Sequence, residues 1–429
     1  MLQTLRNAWK IEELRRKLLF TLLILLLYRI GNAIPVPYIN VAALQEMFDT
    51  QFGGTVFGMF NALSGRAFSS ATLFALSIQP YINASIIMNL LCIAIPALER
   101  IQKEGGEEGK KKIASITRYA TVAIGLLQGF AYYLMVRNYN MLLPGHTTGI
   151  WEAIVIVLSF TTGSALIMWL GEQVTEFGIG NGISIILFAS IISRLPSASI
   201  TLVTNLGSGA VSWFEFIAVL IGVIAIIALI VYVSDAERRI GVQYAKRVVG
   251  RKMYGGQSTH LPMKVNMSGV MPIIFAQSIA SLPATVIMFI PEGNRGTISN
   301  ALLSAVNSQS ALYIIFYFLL IIAFSYFYAT IQFNPVEVAN NLKKNGGFIT
   351  GFRPGRPTSD FIKKVLNKIT LFGAIYLGLV AALPLAFGTQ SSSIALGGTS
   401  IIIAVGVALE TVKALEAEMM MRHYKGFLE

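Results

Sequence analysis

A helix needs roughly 20 apolar residues to cross the hydrocarbon core of a bilayer, and this chain repeats stretches near that length ten times. They cover 18–34, 71–98, 113–136, 150–170, 183–195, 213–233, 268–290, 311–333, 369–387 and 396–415. The second holds no charged residue. A sequence so divided is a polytopic, all-α membrane protein of ten transmembrane helices. Composition closes the other routes. The chain is 55% apolar and 13% charged, which excludes disorder and sits poorly with a soluble domain. A basic soluble nucleic-acid binder does not carry so much apolar surface. One cysteine, Cys92, cannot pair within the chain. Three histidines beside it leave little material for a metal centre. No metal and no cofactor are expected.

The charges test the count of ten. Basic residues outnumber acidic ones 33 to 21, for a net charge of +12. With a cytoplasmic N-terminus, the cytoplasmic segments are 1–17, 99–118, 171–182, 234–267, 334–368 and 413–429, and they hold 28 of the 33 basic residues. The other five, Arg29, Arg66, Arg137, Arg194 and Arg295, fall near the opposite face. This is a strong positive-inside bias. The short fifth stretch is the doubtful span. Removing it would put the two richest basic loops on the other side and destroy the bias, so ten spans with both termini inside are expected. Arg15, Arg16 and Lys17 before a leucine run imitate a signal peptide, but no small-residue cleavage site follows. A retained first span is the better reading.

Ten divides into five and five. Halves with an odd number of crossings enter from opposite sides, which permits two inverted repeats. The expected division is an N-terminal segment (1–17), a first half (18–195), an external hinge loop (196–212), a second half (213–415) and a tail (416–429). One piece is neither loop nor span. Residues 55–64, TVFGMFNALS, are apolar but half a span long, with glycines around them. Such a segment reads as a re-entrant helix covered by protein or a water-filled cavity; a surface helix in an external loop is the plainer alternative.

The span interiors are nearly free of ionisable groups, which counts against ion coupling and against hydrolysis. An inverted-repeat secondary transporter for a small solute is the rival class, but it usually needs ion ligands at the midplane. An integral-membrane enzyme would need a catalytic constellation, and none is visible. Uncharged polar groups do occur inside spans: Gln79, Asn83, Asn89, Gln128, Gln277 and Ser278. They serve either as packing glue or as a polar seam between helices that separate. Pro80, Pro272 and Pro283 are expected to break backbone bonds in the second and seventh spans. GIGNG at 178–182 superficially resembles a dinucleotide loop, but no βαβ context surrounds it. Residues 234–267 and 334–368 each carry seven basic and two acidic residues. Ile240, Val242 and Tyr244 alternate with small or polar residues, which suggests a strand. Orientation explains the charge but not loops so long. The excess length favours docking of an acidic partner or RNA phosphate.

Five strings carry a more specific signal: QPYINASII (79–87), EGGEEGKKKI (104–113), WLGEQVTEFGIGNGISII (169–186), YAKRVVGRKMYGGQSTHLPMKVNMSGVMPIIFA (244–276) and NPVEVANNLKKNGGFITGFRPG (334–355). Through them the chain resembles the SecY family, the central subunits of the Sec protein translocase. Gly241 and Arg66 depart mildly from the family's usual residues. The resemblance implies a clam-shell of two inverted five-helix halves, hinged between the fifth and sixth spans. It also implies an hourglass pore closed by an apolar ring, here Ile78, Ile82, Ile183, Leu187, Ile274 and Ile403. The segment 55–65 matches the family's plug, with Phe57, Met59, Phe60, Asn61, Leu63, Ser64 and Gly65. Asn83, Gln128, Ser278 and Leu282 map onto a lateral gate between the second and third spans on one side and the seventh and eighth on the other. The basic loops match docking sites for the SecA motor ATPase and the ribosome, through Arg238, Arg239, Lys246, Arg247, Arg251, Lys252, Arg353 and Arg356. SecE and SecG are the implied subunit partners, signal sequences and nascent polypeptides the cargo. A bacterial plasma membrane is the implied location. The chain is then a protein-conducting channel and not an enzyme, with its driving energy supplied from outside.

Overall fold

The structure is a computed structural model that describes residues 2–52, 56–145, 149–209, 212–244, 247–249, 252–254, 258–288, 310–387 and 398–425. Among these, the first half holds α1 (Leu2–Lys10), α2 (Glu12–Gly31), α3 (Val41–Met47), α4 (Val56–Leu63), α5 (Gln79–Ala94), α6 (Pro96–Glu104), α7 (Gly106–Asn138), α8 (Ile150–Phe177), α9 (Gly182–Ile192) and α10 (Leu195–Gly207). The second half holds α11 (Trp213–Asp235), α12 (Met271–Ala280), α13 (Leu282–Met288), α14 (Ala311–Gln332), α15 (Pro335–Lys344), α16 (Arg356–Phe387) and α17 (Gly398–Lys425). By length and composition, six described helical stretches can cross a membrane, or seven if the bent pair α5–α6 counts as one. Others fall short for visible reasons. Helix α2 opens on Glu12, Glu13, Arg15, Arg16 and Lys17, and α12 has only 10 residues.

Three sequence expectations change. The stretch 71–98 is not one helix. Residues 64–78 form a chain of turns, and α5 begins only at Gln79. Arg66, Ala71 and Ser77 have φ of 72°, 44° and 50°, which no helix tolerates. Irregular backbone at membrane depth survives only under protein cover. Here Phe68, Ala71, Phe74 and Leu76 are all buried, and the Tyr132 hydroxyl donates to the Phe68 carbonyl at 2.7 Å. The fifth span is longer than its apolar core suggested. It runs on through α10, so that 182–207 is one 26-residue stretch, and most of the expected loop 196–212 is helical. Finally, Pro80 and Pro272 start helices instead of breaking them, whereas Pro283 stands at a break inside the expected seventh span, where Ser281 separates α12 from α13. Pro80 and Pro272 occupy the first turn of α5 and α12, and Pro283 is the second residue of α13. There the missing N–H had no partner to lose.

The GIGNG segment is a capping turn between α8 and α9. The Asn181 side chain accepts from the Ile183 and Ser184 amides at 3.1 and 3.4 Å. A Cβ on Gly182 would lie 2.0 Å from the Gly171 carbonyl oxygen, so only glycine permits this approach.

The all-α expectation fails in the two long loops, which fold together. Strand β1 (Glu237–Tyr244) pairs antiparallel with β4 (Ser258–Lys264), and β5 (Gly347–Ile349) from the other loop joins the free edge of β1. Between β1 and β4, β2 (Arg247–Val249) and β3 (Lys252–Tyr254) form a separate hairpin. Ile240 and Val242 point inward, as their alternation predicts, and share a small core with Met263, Ile349, Ile362 and Leu366.

Candidate functional site

A large apolar cluster runs through both halves. Ile78, Ile82, Leu187, Ile274 and Ile403 are buried within it, and Ile183 packs partly buried against it. Ile183 and Leu187 are one turn apart on α9 and so share a face. Ile78 and Ile82 are spaced alike at the entry to α5, and their backbones are joined by a 3.1 Å bond. Ile274 comes from α12 and Ile403 from α17. These four elements meet in pairs: α5 packs on α12, and α9 packs on α17. The two halves therefore touch along two separate seams.

The first seam is polar at its centre. The Gln79 side-chain amide donates to the Ser278 hydroxyl at 3.0 Å, with both side chains buried. Asn83 and Gln128 are buried nearby on α5 and α7, whereas Leu282 is 46% exposed at the start of α13. Helix α13 packs against α7 and extends the seam. The Gln277 side-chain amide oxygen is buried without a partner. Sequence reasoning noticed Gln79 but did not assign it to the gate, because its partner is 199 positions away.

Helix α4 and the turn after it carry the expected plug residues. Phe57, Asn61, Leu63 and Ser64 are buried; Phe60 packs on the large cluster; Met59 lies within α4. The segment is fixed by local bonds. The Asn61 side-chain oxygen accepts from the Ser69 amide at 3.0 Å, and the Ser64 hydroxyl accepts from the Phe68 amide at 3.1 Å. Gly65 has φ +66°, and a Cβ there would lie 2.8 Å from both the Ser190 carbonyl oxygen and the Ser193 hydroxyl. The end of the segment is thus pressed against α9. One cavity touches all three groups of residues: Phe60, Leu63 and Ser64 from the short segment, Leu187 from the apolar set, and Gln79 and Gln128 from the seam.

The described basic residues lie on or beside the strands of the two long loops. Arg238 and Arg239 are exposed on β1, with Arg239 held 2.7 Å from Glu237. Arg247 and Lys252 lie on β2 and β3. Lys246 and Arg251 lie outside the described residues. Arg353 and Arg356 are exposed just after β5. The Thr358 hydroxyl donates to the Arg353 carbonyl at 2.8 Å and shapes that turn. Pairing of β1 with β5 therefore gathers two distant basic loops into one platform.

Comparison with known proteins gives a consistent picture. The SecY family model matches residues 72–412. The protein translocase subunit SecY of Streptomyces galbus is 44% identical over 442 residues, with all of both chains covered. That of Mycobacterium tuberculosis is 42% identical over 449 residues, again across all of both chains. Among solved structures, a protein-conducting channel superposes with a TM-score of 0.65 at 21% identity, covering 94% of this chain and 92% of that one. Sec61 from a canine ribosome–channel complex gives 0.61 at 19% identity with the same coverage. At these identities the two structures speak to the fold alone.

Proposed function

The chain belongs to the SecY family of protein translocase subunits, and from that membership we propose a specific working cycle for its residues. It is a membrane channel subunit and not an enzyme. In the proposed cycle it passes unfolded secretory polypeptides across the bacterial plasma membrane and releases transmembrane segments sideways into lipid. Both termini and the basic sheet face the cytoplasm, in keeping with the charge bias. Ten spans in two inverted halves surround the pore.

At rest, Ile78, Ile82, Ile183, Leu187, Ile274 and Ile403 form the seal. A narrow apolar collar dewets and blocks ions, yet yields to an extended chain. Helix α4 stands over it as the plug. The α5–α12 and α7–α13 contacts are the lateral gate, with Gln79 and Ser278 as its latch. A buried neutral hydrogen bond contributes only about 1 kcal/mol net, so a signal sequence that fills the seam can replace it. SecA or a ribosome docks on the basic sheet, and SecE and SecG complete the complex. The observation that carries this reading is the single cavity shared by the α4 segment, Leu187 and the Gln79–Gln128 seam. A shift in any one of the three disturbs the other two.

The test is reconstitution with SecE and SecG into vesicles, followed by SecA, ATP and a secretory precursor. Protease-protected precursor is expected; none, with partners shown to be competent, overturns the reading. Arg353→Glu reverses a charge on the platform and is expected to lower SecA-driven protection about tenfold while leaving complex assembly intact. Unchanged protection would remove Arg353 from docking.

A further inference from the structure

Residues 64–78 join α4 to α5 as a chain of turns, with positive φ at Arg66, Ala71 and Ser77. Regular ladder bonds fix little of such a stretch, so individual side-chain bonds weigh more in where it sits. One of these bonds comes from α7. The Tyr132 hydroxyl donates to the Phe68 carbonyl at 2.7 Å, and Tyr132 is fully buried. Its ring meets Phe68 edge-on with centroids 4.8 Å apart, and lies 4.5 Å from Phe160 of α8. Phe68 is in turn bound to α4 and the turn after it. Its amide donates to the Ser64 hydroxyl at 3.1 Å, and the Ser69 amide donates to the Asn61 side chain at 3.0 Å. The Phe68 ring lies 6.1 Å from Phe60. A continuous path of contacts thus runs from α7 through Phe68 to the end of α4.

Helix α7 also packs on α13. Gln128, a gate residue in the reading above, is one turn before Tyr132 and shares its face. Both line the cavity that Phe60, Leu63 and Ser64 also line. The hydroxyl is more than packing demands. A phenylalanine would fill the same space, and the Phe68 carbonyl has a second donor in the Ala71 amide at 3.3 Å. The carbonyl is therefore not stranded when the hydroxyl leaves. A buried contact that can be given up without orphaning the backbone is suited to making and breaking. The distance sets how small a movement suffices. From 2.7 Å, a shift of α7 by about 1 Å takes the pair beyond hydrogen-bond range.

We propose that the Tyr132 hydroxyl is a positioning group that makes seating of the plug depend on the state of the gate. With α7 packed on α13, the bond fixes Phe68, and through Ser64 and Asn61 it fixes the end of α4. When α7 moves off α13, the donor withdraws and α4 is freed. This role rests on the plug and gate readings above and names the contact that joins them.

The test uses the complex with cysteine-free SecE and SecG. Ala62→Cys lies on α4, where residue 62 is half-buried. With the buried Cys92 replaced by Ser, it gives one site for a membrane-impermeant maleimide added from the external side. Labelling is read with and without a synthetic signal peptide that opens the gate. With Tyr132 intact, the peptide is expected to raise the labelling rate severalfold. Tyr132→Phe removes one oxygen and keeps the ring. It is expected to raise the resting rate about fivefold, the worth of one neutral hydrogen bond, and to leave the peptide with little further effect. Phe160→Leu loosens the packing of the same ring but keeps the bond, and is expected to retain the peptide response. A resting rate and a response both unchanged in Tyr132→Phe overturn the proposal. So does a raised resting rate with a full further rise on peptide, or a response lost in Phe160→Leu as well, since either makes Tyr132 a packing residue only. Failure of the underlying readings looks different. If the peptide leaves labelling unchanged with Tyr132 intact, the gate does not govern the plug and the tie falls. If deleting residues 57–64 leaves resting ion conductance unchanged, α4 is no plug, while labelling still reports whether Tyr132 seats it.

Discussion

The two seams between the halves are built from different chemistry. Along α5 and α12 the central contact is a neutral hydrogen bond, Gln79 to Ser278, beside an unpartnered buried oxygen on Gln277. Along α17 the first half is held by apolar burial at the sheet-side end. There Ala8, Leu14, Ile179 and Leu415 form their own buried cluster, joined by Ile11, Leu18 and Met419. Around it, Thr4 donates to Glu416 at 3.1 Å, and Lys17 reaches both oxygens of Glu418 at 2.9 Å. Apolar burial has no substitute partner in an opened state, whereas a hydrogen bond is readily exchanged for another. In the proposed cycle, this contrast lets the shell open on the α5–α12 side while the α17 side stays shut.

The largest effect is expected at the shut seam. Leu14 is fully buried, and Leu14→Ala leaves a cavity where α2 meets α17. It is expected to cost about 3 kcal/mol, read as a lowered midpoint in thermal unfolding of the purified complex. A cost near zero would mean that this seam also yields, and the contrast would be gone.

The open seam is expected to respond less in stability and more in behaviour. Ser278→Ala strands the Gln79 amide. Gln79→Leu with Ser278→Ala removes both partners and replaces them with apolar groups, which is often nearly neutral. The single change is expected to destabilise by about 1 kcal/mol, and the pair by less. Both are expected to raise translocation of a precursor with a weakened signal sequence, since the latch is gone in each. Protease protection of that precursor checks it; no rise in either variant would make the bond mere packing glue.

How much of this was legible in the sequence follows from distance along the chain. Local patterns were readable. The alternation of Ile240, Val242 and Tyr244 gave β1, and the short apolar run at 55–64 gave α4. Nonlocal pairing was not. Nothing in the sequence says that Val242 sits opposite Ile349, or that Gln79 finds Ser278. Hydropathy also sees side chains and not backbone. Residues 71–78 are as apolar as a helix, so the turns imposed by Ala71 and Ser77 were invisible. Pro80 and Pro272 misled for a related reason: each carries the same residue-level signal at a helix start as within one, and only the position of the first turn separates the two cases. The apolar set from Ile78 to Ile403 came from family resemblance alone, because an isoleucine in a span looks the same whether it faces lipid, a neighbour or a pore.

The smallest effect concerns the ion pair on the shut seam. Lys17 and Glu418 remain 33% and 24% exposed, so solvent screens their attraction. Such a pair contributes less than about 1 kcal/mol. Glu418→Gln is expected to lower the thermal midpoint slightly in dilute buffer and not at all in 1 M salt, where the screening length falls to about 3 Å. The comparison with Leu14→Ala decides what holds this side together. If Glu418→Gln costs as much as Leu14→Ala, and salt abolishes the cost, the seam is electrostatic and would open at high ionic strength. If its effect stays several times smaller, the apolar cluster alone is the hinge side's anchor. Ionic conditions would then shift the proposed docking on the basic loops without loosening the shell.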